Sequence, residues 1–169
     1  MKKADRNHAY IDSQNLNLGV QSLGWKLDYK KFRVYLKEKY GVAIAYLFIG
    51  FIPQFQDLYA SLQKDGYILK FKPVLPSKDG SHKGNVDADM VLQIAVDFYE
   101  HHFEKAVIVT SDGDFYSAVQ FLYERGKLEK VISPYFKTSS TLLKATAKDK
   151  IVFINNLRRK LEYKKKNTA

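Results

Sequence analysis

Residues Val107–Phe121 read V-I-V-T-S-D-G-D-F-Y-S-A-V-Q-F. The stretch opens as a buried strand and closes as an amphipathic helix. Between the two lies Ser111-Asp112-Gly113-Asp114, two carboxylates separated by one glycine. Open α/β sheets place their chemistry at such strand-to-helix turns, outside the carboxyl ends of the strands. Two acids held that close are costly unless a cation neutralises them. The reading therefore turns on whether other strand ends supply matching acids.

Upstream, His8–Asp12 (H-A-Y-I-D) reads as a short strand ending in an acid. Ser13–Asn17 follows as a polar turn. The chain to Leu27 is expected as a loop with an irregular helical turn, broken at Gly19 and Gly24. Asp28 caps a helix over Tyr29–Tyr40, whose Phe32, Tyr35, Leu36 and Tyr40 share a face, and Gly41 ends it. Val42–Gly50 is almost continuously apolar, the pattern of a central strand buried on both faces. Pro53 opens a helix with Phe55, Leu58, Tyr59 and Leu62 on its core face. Tyr67–Lys72 alternates like a strand near a sheet edge. Pro73–Gly84 reads as a loop, and Asn85 as the cap of a helix over Val86–His101.

Downstream of the central stretch, a strand Ala106–Thr110 and a helix Phe115–Arg125 are followed by a strand Lys130–Ser133. A helix capped by Ser139 or Ser140 runs to Ala147, then a strand Ile151–Ile154, then a basic helical tail Asn155–Lys166. Strict alternation of strand and helix implies right-handed crossovers, a parallel sheet and helices on both faces. The predicted fold is a single three-layer α/β/α domain with a mainly parallel, Rossmann-like sheet over residues 1–154. Residues 155–169 are read as the tail.

The chain has 169 residues, a length that fits one domain. Its 46% hydrophobic and 14% aromatic content is enough for a full core. There is no cysteine, which excludes disulfides, thiolate metal sites and cysteine nucleophiles. The start has no apolar core of a secretory signal, and Val42–Ile52 is too short to span a bilayer, which needs ~20 residues. A cytoplasmic location is the resulting expectation. A formal net charge of +10 suits a polyanionic partner. Arg158, Arg159, Lys160, Lys164, Lys165 and Lys166, against the single acid Glu162, concentrate that charge in the tail.

Asp12 ends the first strand, and Asp112 and Asp114 follow the strand Ala106–Thr110. A doubly wound sheet would bring these ends together at its topological switch point. Asn15, three residues past Asp12, can add an amide oxygen or orient a water. In the helix Val86–His101 the apolar face is read as Met90, Val91, Ile94, Ala95 and Phe98. At about 100° per residue Asp87 falls within it, Asp89 on the solvent face and Asp97 near the boundary. Asp87 and Asp97 lie ~15 Å apart along the axis, so they cannot share a metal. Asp87 is therefore the fourth ligand candidate. Asp12, Asp112 and Asp114 also serve turn and capping roles in such positions, which is the competing explanation for each acid alone. Four carboxylates without cysteine form a hard-oxygen site suited to Mg²⁺ or Mn²⁺. Such a site can assist an in-line phosphoryl displacement.

Three blocks in this order resemble the NYN domains, in particular the LabA-like branch of the PIN-like ribonucleases: Tyr10-Ile11-Asp12-Ser13-Gln14-Asn15, Lys83-Gly84-Asn85-Val86-Asp87 and Thr110-Ser111-Asp112-Gly113-Asp114-Phe115. The middle block carries one extra residue relative to the family pattern. The resemblance extends from about His8 to Ile154. It implies a PIN-like sheet, a metal-dependent phosphodiesterase acting on RNA, and Asp12, Asp87, Asp112 and Asp114 as metal ligands. Asn15 is carried into the catalytic set, and Asn15 and Ser111 as groups behind the ligands or positioning water. Members often carry a further acid about two turns into the central helix, where this chain has Gln93.

For the substrate, Lys78, His82 and Lys83 in the loop before Asp87 are candidate RNA contacts, as are Arg158, Arg159 and Lys160. Tyr116 beside the acids can stack on a base, whereas Phe115 is read as core. The leading expectation is an endoribonuclease using Mg²⁺ or Mn²⁺. The alternative is a catalytically weak or inactive RNA-binding or regulatory protein on the same fold. A small-molecule phosphohydrolase ranks last, because Asp12-Ser13-Gln14 lacks the Asp-x-Asp of such enzymes. No membrane partner is expected, and the oligomeric state is open, with a homodimer among the options.

Overall fold

Every pairing in the main sheet is parallel. The computed structural model describes residues 5–73, 75–76, 82–83 and 86–166, the two short pairs as backbone only. In chain order the elements are β1 (Asn7–Asp12), α1 (Ser13–Ser22), α2 (Tyr29–Tyr40), β2 (Val42–Phe51), α3 (Gln56–Lys64), β3 (Tyr67–Pro73), β4 (Leu75–Pro76), β5 (His82–Lys83), α4 (Asp87–Tyr99), β6 (Ala106–Val109), α5 (Tyr116–Glu124), β7 (Leu128–Ser133), α6 (Thr141–Ala147), β8 (Ile151–Phe153) and α7 (Arg158–Leu161). The six long-range strands lie in the order β3-β2-β1-β6-β7-β8. The order reverses between β1 and β6, which is the switch point of a doubly wound sheet. Helices cover both faces, and the architecture is three-layered α/β/α.

Two cores follow from the strand pleat. On one face Ile11, Leu47 and Val107 meet Leu16, Phe32, Leu36, Leu62 and Leu161.

 On the other, Tyr10, Phe48, Ile108 and Val131 meet Met90, Ile94, Ala118, Leu122 and Leu143. Alternate residues of each strand enter opposite cores, as period-two geometry requires. Each fully buried aliphatic or aromatic side chain contributes roughly 1.5–3 kcal/mol. Gly41 closes α2 in the left-handed region (φ 62°), and its N–H reaches back to the Leu36 and Lys37 carbonyls.

Several expectations need correction. Ser13–Ser22 is a regular helix rather than an irregular loop. Asp12 caps it, and Leu16 and Val20, one turn apart, are both buried. Gly19 belongs inside this helix because a side chain there would collide with Pro134. β2 is not buried on both faces: Ala43 and Phe51 are exposed and Tyr46 is half-buried. β3 at the sheet edge leaves that side thinly covered. On α3 only Tyr59 and Leu62 are buried, while Phe55, just before the helix, and Leu58 face solvent. Part of the stretch expected as a loop forms an antiparallel pair, Leu75–Pro76 with His82–Lys83.

Helix α4 is rotated from its expected setting. Met90, Ile94 and Asp97 are buried, and Val91 is exposed. Counting Val91 and Ala95 as core moved the expected face round the helix and put Asp97 at its margin. The observed stripe runs through positions 90, 94 and 97, the usual spacing of one helical face. The C-terminal segment is not one helix. A 3₁₀ turn, Ile154–Leu157, leads into the single turn Arg158–Leu161. Glu162 then forms an antiparallel bridge with Leu27. Leu161 is buried in the same core as Phe32, so this segment is tied to the domain.

Candidate metal centre

The site grows from the register of β1 beside β6. Ile11 pairs with Val109, which sets Asp12 level with Thr110 at the carboxyl ends of both strands. Asp12 is only 6% exposed. Its carboxylate accepts from the Asn15 backbone N–H at 3.3 Å and from the Thr110 hydroxyl at 3.4 Å. Burial pushes its pKa up to about 6, and the neighbouring Asp87 and Asp112 charges add to the rise against those two hydrogen bonds.

The next turn holds the paired acids. The Asp112 N–H donates to the Thr110 hydroxyl oxygen at 3.1 Å. The Asp112 carboxylate accepts from the Asp114 N–H at 2.9 Å, capping the 3₁₀ turn Gly113–Phe115. The capping role and the site role thus coexist in one side chain. Gly113 passes directly against the Ser140 side chain, which a Cβ would strike. Phe115 is fully buried beneath, whereas Tyr116 is exposed at the start of α5.

Asp87 arrives from the third direction, at the first residue of α4. One carboxylate oxygen from each of Asp87, Asp112 and Asp114 lies within 4.8 Å of the others. This spacing suits a shared cation with oxygen ligands at about 2.0–2.6 Å. Asp12 stands outside this triad, close enough for Asp87 and Asp112 to raise its pKa. The arrangement is therefore three acids presented outward and one set back, rather than four equivalent ligands. All donors are carboxylate oxygens, a set that matches Mg²⁺ or Mn²⁺ better than zinc.

Asn15 and Ser111 bond to each other. The Asn15 amide oxygen accepts from the Ser111 N–H at 2.8 Å and from its hydroxyl at 3.0 Å. This clamp joins the β1–α1 turn to the β6–α5 turn and fixes the acids relative to one another. Thr110 was absent from the expected set, although it contacts both Asp12 and Asp112. Its one signal in sequence is a polar residue closing an apolar strand directly before the paired acids.

The expected RNA contacts divide. Lys78 lies outside the described residues, and of His82 and Lys83 only the backbone is described. Arg158, Arg159 and Lys160 are exposed on α7, whose Leu161 enters the core beneath α2, while α4 with Asp87 covers the other face of the sheet. Arg158 is paired with Glu162 through two hydrogen bonds, at 3.2 and 3.0 Å. Gln93 points away from the acids and donates to Asp97 at 2.9 Å.

That bond belongs to a second polar cluster, at the amino end of the sheet, that sequence reasoning missed. Asp97 is 1% exposed and accepts from the Tyr10 hydroxyl at 2.6 Å. The His102 Nδ1 lies 3.0 Å from it and the His8 Nδ1 3.6 Å. Burial by itself raises the Asp97 pKa, but the bonds from Tyr10, His102 and Gln93 outweigh it and hold the carboxyl below its ordinary value. Burial lowers the His8 pKa against the pull of Asp97. The signal was present, because Asp97 falls three residues after Ile94 and seven after Met90.

Comparison with known proteins agrees with the fold. The family model for the NYN domain matches residues 8–155. A protein of unknown function from Vibrio parahaemolyticus has a crystal structure that superposes with a TM-score of 0.72 at 22% identity, covering 91% of this chain and 96% of that one. At that identity the likeness speaks to fold alone. No curated protein matches.

Proposed function

The chain belongs to the NYN domain family, and on that premise we propose that it is a PIN-like, metal-dependent endoribonuclease that hydrolyses RNA phosphodiester bonds. The observation that carries the reading is the triad of Asp87, Asp112 and Asp114 at the switch point, with Asp12 behind it. The triad would hold Mg²⁺ or Mn²⁺. When bound, such a cation activates water and offsets the charge that develops on the phosphoryl oxygens.

The chain's own residues prepare that site. The Asn15–Ser111 clamp keeps two turns from distant sequence in register. Thr110 sets Asp12 and Asp112 on either side of one hydroxyl. Asp12 adds a fourth negative charge from a buried position, strengthening the field at the triad. The net charge of +10 and the exposed Arg159 and Lys160 favour a polyanion such as RNA. Lys78, His82 and Lys83 remain part of this proposal through their place in the chain before Asp87. The LabA-like branch and a cytoplasmic location are also part of it. Among the described residues no helix is long and apolar enough to cross a membrane.

One observation favours a second reading, an RNA-binding or regulatory protein without strong activity. Gln93 stands where relatives often have an acid, and its amide is committed to Asp97. The test is RNA cleavage with Mn²⁺, with Mg²⁺ and with EDTA, beside Asp112→Asn. Metal-dependent cutting that the variant loses supports the nuclease. RNA bound but uncut by both proteins supports the second reading.

A further inference from the structure

The β7–α6 connection stands next to the acid turn, because β7 neighbours β6 in the sheet. The two are tied directly: the Ser140 N–H donates to the Ser111 carbonyl at 3.1 Å, and Ser140 packs on Gly113. The connection itself is a tight turn. The Tyr135 carbonyl accepts from the Ser139 N–H at 3.0 Å and from its hydroxyl at 2.9 Å. The Ser139 hydroxyl is also bonded to that of Ser133. The Pro134 carbonyl accepts from the Asn155 N–H at 3.0 Å.

This turn holds Phe136 out in solvent, 56% exposed. The ring is nonetheless fixed. Phe153 meets it edge-on at 5.4 Å between centroids and 82°. The Lys144 ammonium sits 4.0 Å from its centroid and donates to the Phe136 carbonyl at 3.1 Å. Lys137, next in the turn, is exposed. An exposed phenylalanine alone needs no explanation. One held rigid with the Lys144 ammonium over its ring, on a turn bonded to the acid turn and followed by the exposed Lys137, presents an aromatic surface in a cationic setting. Stacking on such a face is tolerant of base identity, and the ammonium groups can meet the adjoining phosphates.

The geometry points to a nucleotide subsite at Phe136, Lys144 and Lys137 that takes one unpaired nucleotide of RNA beside the acid triad. The inference rests on the RNA reading above and extends it to single-stranded substrate. The base stacks on Phe136, and the flanking phosphate meets Lys144 and Lys137. A base held in a duplex cannot present its face in this way.

The test is equilibrium binding of a fluorescein-labelled single-stranded RNA to the full chain in EDTA, against a duplex of the same length. Phe136→Ala is expected to weaken single-strand binding by about tenfold. Phe136→Trp is expected to retain wild-type affinity and Phe136→Leu to bind as weakly as the alanine variant. Lys144→Met is expected to flatten the salt dependence by roughly one phosphate contact. Duplex affinity is expected to change less than about twofold, and thermal melting confirms that each variant is folded. Phe136→Ala binding single-stranded RNA as tightly as wild type would overturn the subsite while leaving the nuclease reading intact. Equal losses on single strand and duplex, or leucine rescuing as well as tryptophan, would overturn it too. A wild-type chain that neither binds nor cuts RNA would overturn both the reading and the subsite.

Discussion

Helix α4 carries an acid near each end, and their surroundings are opposite. Asp97, toward the carboxyl end of the helix, is almost fully enclosed and meets Tyr10, Gln93 and His102. Asp87, at the amino end, is half-buried and converges with Asp112 and Asp114. A buried carboxylate supplied with donors is stabilised as the anion and becomes part of the scaffold. Carboxylates gathered on one another repel, and a fold keeps such a group where a cation can relieve it. Asp12 and Asp97 carry the contrast in their protonation: Asp12 is pushed up to about 6, Asp97 held below its ordinary value. Burial alone therefore does not set the protonation of an acid; the neighbours do.

The largest expected effect lies at the amino end of the sheet. Asp97→Ala leaves the Tyr10 hydroxyl buried without its acceptor and is expected to cost about 3–5 kcal/mol of stability. Urea unfolding measures it, and a loss below about 1 kcal/mol would erase the distinction between the two ends. Asp112→Asn is expected to do the reverse, lowering cleavage by at least about a hundredfold while the fold holds. A variant that unfolds would make Asp112 part of the scaffold after all.

The pH dependence sharpens the contrast. Asp12 has a raised folded pKa, so its contribution to stability is present below about 3.8 and is lost as pH rises through about 6. Asp97 is lowered, so its contribution is present above the ordinary carboxylate range and is lost as pH falls below it. Asp12→Asn is accordingly expected to stabilise the metal-free protein at pH 7, by at most about 3 kcal/mol. The gain is expected to vanish at pH 4 and to shrink when Mg²⁺ or Mn²⁺ is added. Thermal melts across pH, with and without the cation, check it, and a gain that is the same at pH 4 and pH 7 would contradict the assignment.

The smallest effect tests whether Gln93 acts with Asp97 or with the acids at the other end. Gln93→Ala removes one donor to Asp97 and is expected to cost about 1 kcal/mol of stability with cleavage per folded molecule unchanged. A change in cleavage at unchanged stability would place Gln93 with the acids instead.

Much of this was legible in the chain. Apolar strands alternating with helical segments dictate a parallel sheet, because only crossover connections fit that order. An acid at the end of the first strand and two after β6 follow from Asp12 and Ser111-Asp112-Gly113-Asp114 once the switch point is placed between them. The N-caps at Asp28 and Ser140 were visible for the same local reason, a short oxygen-bearing side chain ahead of a helix. The helix Ser13–Ser22 was not, because its polar residues and Gly19 score poorly until Leu16, Val20 and the Pro134 contact are packed.

The sequence by itself determined the layers, the strand ends that carry acids and the helices that follow them, since periodicity and local hydrogen bonding act over a few residues. Only the tertiary structure decided that Asp12 stands behind the triad, that Asn15 is bound to Ser111, that Asp97 is enclosed and that Phe136 is held out beside Lys144. Those outcomes depend on which groups from distant segments share a space, and on the burial and charge that their meeting creates.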